Sequence, residues 1–188
     1  KVLGDPRGKF VKTFHKSSFV KLGLETNFKE QYYSVSQKDV IRGMHFQTPP
    51  EDHVKIVYCI SGAAFDVVLD LRIGSPTYGK VATFELSDSL GNMLYIPKGF
   101  AHGFCSTTSS ATLMYKTSTE YKPACDAGIL WSSIPVKWPV SAPILSPRDA
   151  GFSSLADFLS PFTYACKYQK PKNSCHRRLW IHRFGIGD

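Results

Sequence analysis

The stretch VKIVYCISGAAFDVVLDLR (Val54–Arg72) decides the fold. It holds two apolar runs, VKIVYCI (Val54–Ile60) and AFDVVLDLR (Ala64–Arg72), joined around a Ser-Gly pair. Runs rich in β-branched and aromatic residues, bounded by turn chemistry, read as strands. The pattern continues through GSPTYG, VATFEL (Val81–Leu86), SDSLGN, MLYIP (Met93–Pro97), KGFAHGF read as a turn, and ATLMYKTS (Ala111–Ser118). Strands spaced about 8–12 residues apart predict an all-β sandwich or barrel. Helical signals are short. One lies at Ser17–Leu22, and another at Ser153–Leu159 opens on a Ser suited to an N-cap.

Alternation assigns faces. Lys55, Val57 and Cys59 share one side of their strand, with Val54, Ile56 and Tyr58 on the other. Leu113, Tyr115 and Thr117 share a face likewise. A Lys or Tyr among apolar neighbours either snorkels to the surface or lines a pocket.

With 188 residues, 43% hydrophobic and 20% charged, the chain suits one globular domain. No apolar run approaches the roughly 20 residues of a membrane span. The longest candidate, Phe65–Leu71, is broken by Asp66 and Asp70. No secretory signal is read, although the chain opens at Lys1 without a Met and an upstream segment stays open. The five cysteines are scattered, with no CxxC pair, so neither a zinc ribbon nor a disulfide framework is indicated. Cys59 and Cys105 read as small buried hydrophobes, and a reducing cytoplasm is expected.

The net charge of +8 is unevenly placed. The segment from Cys166 onward carries Lys167, Lys170, Lys172, Arg177, Arg178 and Arg183 against Asp188, leaving +3 on the body. The body is therefore not a basic nucleic-acid-binding domain. The tail has no clear apolar period and reads as a disordered arm, a polyanion contact or an appended extension.

Four polar positions stand in otherwise tight settings: His45 in IRGMHFQTPP, Lys55, His102 in GFAHGF, and Tyr115, together with LSPRD ending at Asp149. With GDPRGKF (Gly4–Phe10), SVSQKDVIRGMHFQTPP, FDVVLDLRIGSPTYG, YIPKGFAHGF, YKTSTEY and W-x6-WP (Trp131–Pro139), the chain resembles the dTDP-4-dehydrorhamnose 3,5-epimerase family of the cupin superfamily. The resemblance covers residues 3–159 and sets a cupin-type domain at 1–160 apart from a basic tail at 161–188.

The resemblance implies a double-stranded β-helix, or jelly-roll barrel, with the active site inside. It also implies a homodimer across exchanged edge strands. The implied substrate is a nucleotide diphosphate sugar, dTDP-linked, from rhamnose-type deoxysugar biosynthesis, with no cofactor and no metal. A C4 ketone acidifies the hydrogens on C3 and C5. A base removes one, and an acid returns a proton to the opposite ring face. By the same resemblance His45 is the base, Asp149 orients it and favours its protonated form, Tyr115 is the acid, and Lys55 stabilises the enolate oxygen. His102 is a second pocket histidine holding the sugar or the phosphate-linked end. Arg7 and Arg42 contact the diphosphate, Tyr121 packs beside base or sugar, and Phe10 lies at the nucleotide end.

The chain departs from the family pattern at Lys12, Glu30 and Tyr32, where Glu, Gln and Asn are usual. These are expected at the nucleotide or sugar end, away from the proton-transfer centre, and leave the nucleotide and sugar open. Three rival readings stand beside the epimerase. A metal-dependent cupin would draw on His45, His53 and His102. A non-catalytic binding module would not need the acid–base set. A 3,4-ketoisomerase or a 3-epimerase would share the fold.

Overall fold

The computed structural model describes residues 2–165 and the backbone of residues 180–182. In chain order the elements are β1 (Val2–Asp5), β2 (Gly8–Val11), α1 (Lys16–Lys21), β3 (Glu30–Gln37), β4 (Ile41–Gln47), β5 (Lys55–Ser61), β6 (Ala63–Asp70) and β7 (Val81–Ser87). Then follow β8 (Met93–Ile96), β9 (Phe100–Ser106), β10 (Ser110–Thr117), β11 (Asp126–Gly128), α2 (Pro147–Ala150) and β12 (Trp180–His182).

Two five-stranded antiparallel sheets, ordered β12-β8-β5-β10-β3 and β11-β4-β9-β6-β7, form the jelly roll expected from the sequence. The predicted faces hold. Val57, Cys59, Leu113 and Tyr115 point between the sheets with Val68, Leu94 and Phe104. Val54, Ile56 and Tyr58 point outward, where Phe19 of α1, with Phe14 and Phe28, covers them. The outer face of the second sheet carries Met44, Phe46, Val67 and Leu69, and the segment bearing Ile129, Trp138 and Phe162 closes over it. The inner strands β5, β6, β8 and β9 thus bury most of both faces, which is why they read as apolar runs with few polar interruptions. Cys59 and Cys105 are buried among these apolar groups, as expected.

Two expectations fail. GFAHGF is not a turn: Phe100–Ser106 is a strand paired to β4 on one side and β6 on the other. Its glycine is there for clearance, because a Cβ on Gly103 would meet the Met44 sulfur at 2.7 Å and the Arg42 carbonyl at 2.9 Å. Gly43 faces it with φ +136°, and its own Cβ would fall 2.5 Å from Gly103 Cα. The glycines of RGMH and GFAHGF are therefore one packing contact. Nor does Ser153–Leu159 form a helix. Ser154 makes the capping contact, its Oγ 3.3 Å from the Asp157 amide, but the segment stops after a turn and Pro161 follows. Leu155 and Phe158 are instead drawn onto the core cluster around Phe46.

The N-terminal hairpin β1–β2 stands outside both sheets. Lys9 Nζ donates to the Asp88 carbonyl, and Leu3 and Phe10 are exposed. β12 pairs with β8 at the edge of the first sheet, so three residues of the C-terminal segment have a place in the fold. The tail's charged residues, with Cys166 and Cys175, lie outside the described residues. Among the described residues no helix is long and apolar enough to cross a membrane.

Candidate active site

A cavity of about 350 Å³ opens between the sheets, lined by His45, Lys55, His102, Tyr115, Arg42 and Tyr121 among others. The pleat explains the gathering, since His45 and His102 are register partners across β4 and β9, and Lys55 is the partner of Thr117 on β10.

Asp149 reaches His45 through the LSPRD turn. Ser146 caps α2, its Oγ accepting the Asp149 amide at 3.1 Å, and Pro147 fits the first turn. This one-turn helix delivers Asp149, 3% exposed, to the underside of β4. There Asp149 Oδ1 lies 2.8 Å from His45 Nε2, and Oδ2 accepts the Gly43 amide at 3.0 Å. With Nε2–H donating to the carboxylate, the lone pair is on Nδ1. Burial pushes the His45 pKa below 6.5, outweighing the pull of Asp149 toward the protonated form. The imidazole is thus neutral and basic near neutral pH. Burial alone would raise Asp149, yet the hydrogen bonds from His45, Gly43 and Ser146 hold it below the usual carboxylate range.

Lys55 is 7% exposed, and burial brings its ammonium down to about 8 while Asp66 and Asp126 oppose the fall. It stays a cation at neutral pH, in a dry setting where charge acts strongly. Tyr115 is 6% exposed, and burial drives its phenol far above the usual range, against a weaker opposing effect from Ser34 at 3.2 Å. It therefore keeps its proton.

His102 is held by Asp66, Nε2 to Oδ2 at 2.8 Å, both deeply buried. In the linear sequence Asp66 stands only as a break in an apolar run. A carboxylate amid Phe65, Val67 and Val68 was the available signal, since a buried acid needs a partner. Arg148 is a further site residue that the linear sequence does not single out, although it sits within LSPRD. It lines the cavity and pairs with Asp126 at 2.5 Å, while Tyr121 donates its amide to Glu30 at 2.8 Å and its hydroxyl to Asp126 at 3.3 Å.

Three expected site residues are elsewhere. Arg7 lies in the β1–β2 turn, ion-paired with Asp5 at 2.5 Å, and neither it, Phe10 nor Lys12 lines the cavity. The placement of Tyr32 away from the proton-transfer centre is also corrected: it stacks directly on Tyr115. Cross-strand register, invisible in the linear sequence, brings them together. His53 borders the cavity, where burial with nearby Lys55 and Lys98 lowers it to about 3, so it is neutral. Among the described residues no group of three or more His, Cys, Asp and Glu converges as a metal-ligand set.

The family model described as dTDP-4-dehydrorhamnose 3,5-epimerase matches residues 1–157. A dTDP-4-dehydrorhamnose 3,5-epimerase of Shigella flexneri is 41% identical over 84% of this chain and 88% of its own. A dTDP-4-dehydrorhamnose 3-epimerase of Streptomyces niveus is 40% identical over 81% of this chain and 75% of its own. The crystal structure of a dTDP-6-deoxy-D-glucose-3,5-epimerase from Legionella pneumophila, in complex with dTDP-4-keto-L-rhamnose, superposes with a TM-score of 0.81 at 34% identity, covering 88% of this chain and 91% of that one. By motif, fold and sequence alike, the chain belongs to the dTDP-4-dehydrorhamnose 3,5-epimerase family.

Proposed function

We propose that this protein is an isomerase that epimerises C3 and C5 of a dTDP-linked 4-keto-6-deoxyhexose. The observation that carries the reading is that a neutral base (His45), a buried cation (Lys55) and a protonated phenol (Tyr115) line one cavity. His45 Nδ1 takes the proton from the carbon beside the ketone, and the C–H electron pair moves onto the carbonyl oxygen. Lys55 stabilises that enolate oxygen. Tyr115 gives its O–H proton to the same carbon from the other ring face. The phenolate then recovers a proton from solvent and His45 releases one, so the cycle balances. Arg42, whose Nε donates to Ser36 at 3.0 Å, is the diphosphate contact from within the protomer, and Tyr121 the aromatic contact.

The active unit is a homodimer. Arg7, Phe10 and Lys12 lie on or beside a hairpin that does not reach its own cavity, while edge strand β3 exposes Tyr33 and Val35. A partner's hairpin would complete the nucleotide end of the site and cover that edge. The free thiols of Cys59, Cys105 and Cys125 support a reducing cytoplasm.

A second reading is 3-epimerase activity alone, favoured by the near-equal likeness to the Streptomyces niveus protein. Incubation with dTDP-4-keto-6-deoxyglucose in deuterated water separates the two. Deuterium at C3 and C5 is expected, deuterium at C3 alone assigns the second reading, and no incorporation defeats both.

A further inference from the structure

Tyr32 and Tyr115 are directly opposed in the β3–β10 register, so the pleat sets both side chains on one face. Their rings stack, with centroids 4.8 Å apart and planes 16° from parallel. His102 meets the Tyr115 ring edge-on at 6.2 Å, and Ser34, also on β3, bonds its hydroxyl. Tyr32 is 40% exposed and Tyr115 only 6%, so Tyr32 is the outer ring of the pair.

We propose that Tyr32 is a positioning residue for Tyr115, holding the phenol by stacking so that the enolate is protonated on the Tyr115 face rather than returned from the His45 face. The proposal rests on Tyr115 being the acid. Without the stack, Tyr115 gains rotamer freedom and contact with water. The enolate then waits longer, and His45, having exchanged its proton with solvent, returns one to the face it came from. Tyr32 does not act as an acid itself: burial, with Glu30 and Asp126 nearby, pushes its hydroxyl up to about 12.

The test is the partition in deuterated water between inverted product and recovered substrate that carries deuterium without inversion. An aromatic pair of this kind sets a shift of roughly twofold to tenfold toward return in Tyr32→Asn. Tyr32→Thr, a strong strand former, gives the same readout should Asn weaken the edge strand. Tyr32→Phe keeps the ring and restores the partition. A wild-type partition in both Asn and Thr variants, with only KM altered, overturns the proposal, as does a Phe variant that matches Asn. Tyr115→Phe is the separate control: unchanged inversion there defeats the acid assignment itself, whatever Tyr32 does.

Discussion

His45 and His102 face each other as register partners across β4 and β9, and each commits its Nε2 to a carboxylate at 2.8 Å. The two pairs are not equivalent. The His45 side chain is 27% exposed and its Asp149 is held as a carboxylate, whereas the His102 side chain is 4% exposed and burial raises its Asp66. Both histidines line the cavity, and the first pair is the more open to it and to solvent. The second is a dry wall whose Asp66 lends charge to Lys55.

His45→Ala is expected to lower kcat by about 10²–10⁴, the range for a lost general base, with dTDP affinity nearly intact. Steady-state kinetics with calorimetric titration of dTDP checks both. A variant that keeps its turnover would remove His45 from the mechanism.

The rate profile should be bell-shaped. The neutral base is lost as pH falls through the His45 pKa, below 6.5, and the Lys55 cation is lost as pH rises through about 8. Tyr115 contributes no limb in that window, because burial holds its proton well beyond it. Asp149→Asn removes an interaction that raises His45, so its acid limb should move to lower pH and its kcat should fall. Asp66→Asn should bring the alkaline limb down for the corresponding reason at Lys55. Measuring kcat/KM against pH for the three proteins tests the signs.

Much of this was legible in the linear chain, for identifiable reasons. Alternation alone put Lys55 with Val57 and Tyr115 with Leu113 on shared faces, since period two is a property of any strand, while which face turns inward is settled only by the packing of the two sheets. The LSPRD turn carries its own cap, so the delivery of Asp149 is local chemistry. What stayed hidden depends on pairing between distant strands. GFAHGF looked like a turn because Gly103 answers to Gly43, some sixty residues earlier. Tyr32 seemed remote because its partner in the β3–β10 register lies on the far side of the barrel sequence.

Lys55→Met should abolish turnover and yet stabilise the fold. Below pH 8 the folded state carries a buried ammonium whose charge is cheaper to hold in the unfolded chain, with its pKa near 10.4. Between the two values the unfolded chain binds more protons, so wild-type stability rises with pH there and the mutant's advantage shrinks. On the order of 1–3 kcal/mol at pH 7 is expected, read as a denaturation midpoint higher by several degrees. A destabilised Met variant would mean that Asp66 and Asp126 more than compensate the burial.

The exposed hairpin gives the sharpest test of assembly. Among the described residues Arg7 is ion-paired with Asp5 of its own turn and lies off the cavity that holds His45. If the partner's hairpin completes the site, Arg7→Ala and His45→Ala fall in different chains of the same active site. A mixed dimer then contains one site with both residues intact and one with neither. Each parent homodimer is defective at both sites. Random co-assembly makes half of all dimers mixed, so about a quarter of wild-type activity should return on co-expression. If Arg7 instead folds back onto its own cavity, or plays no part in binding, co-expression yields no more than the average of the two parents. Sedimentation of the wild-type protein at twice the mass of one chain is the accompanying requirement.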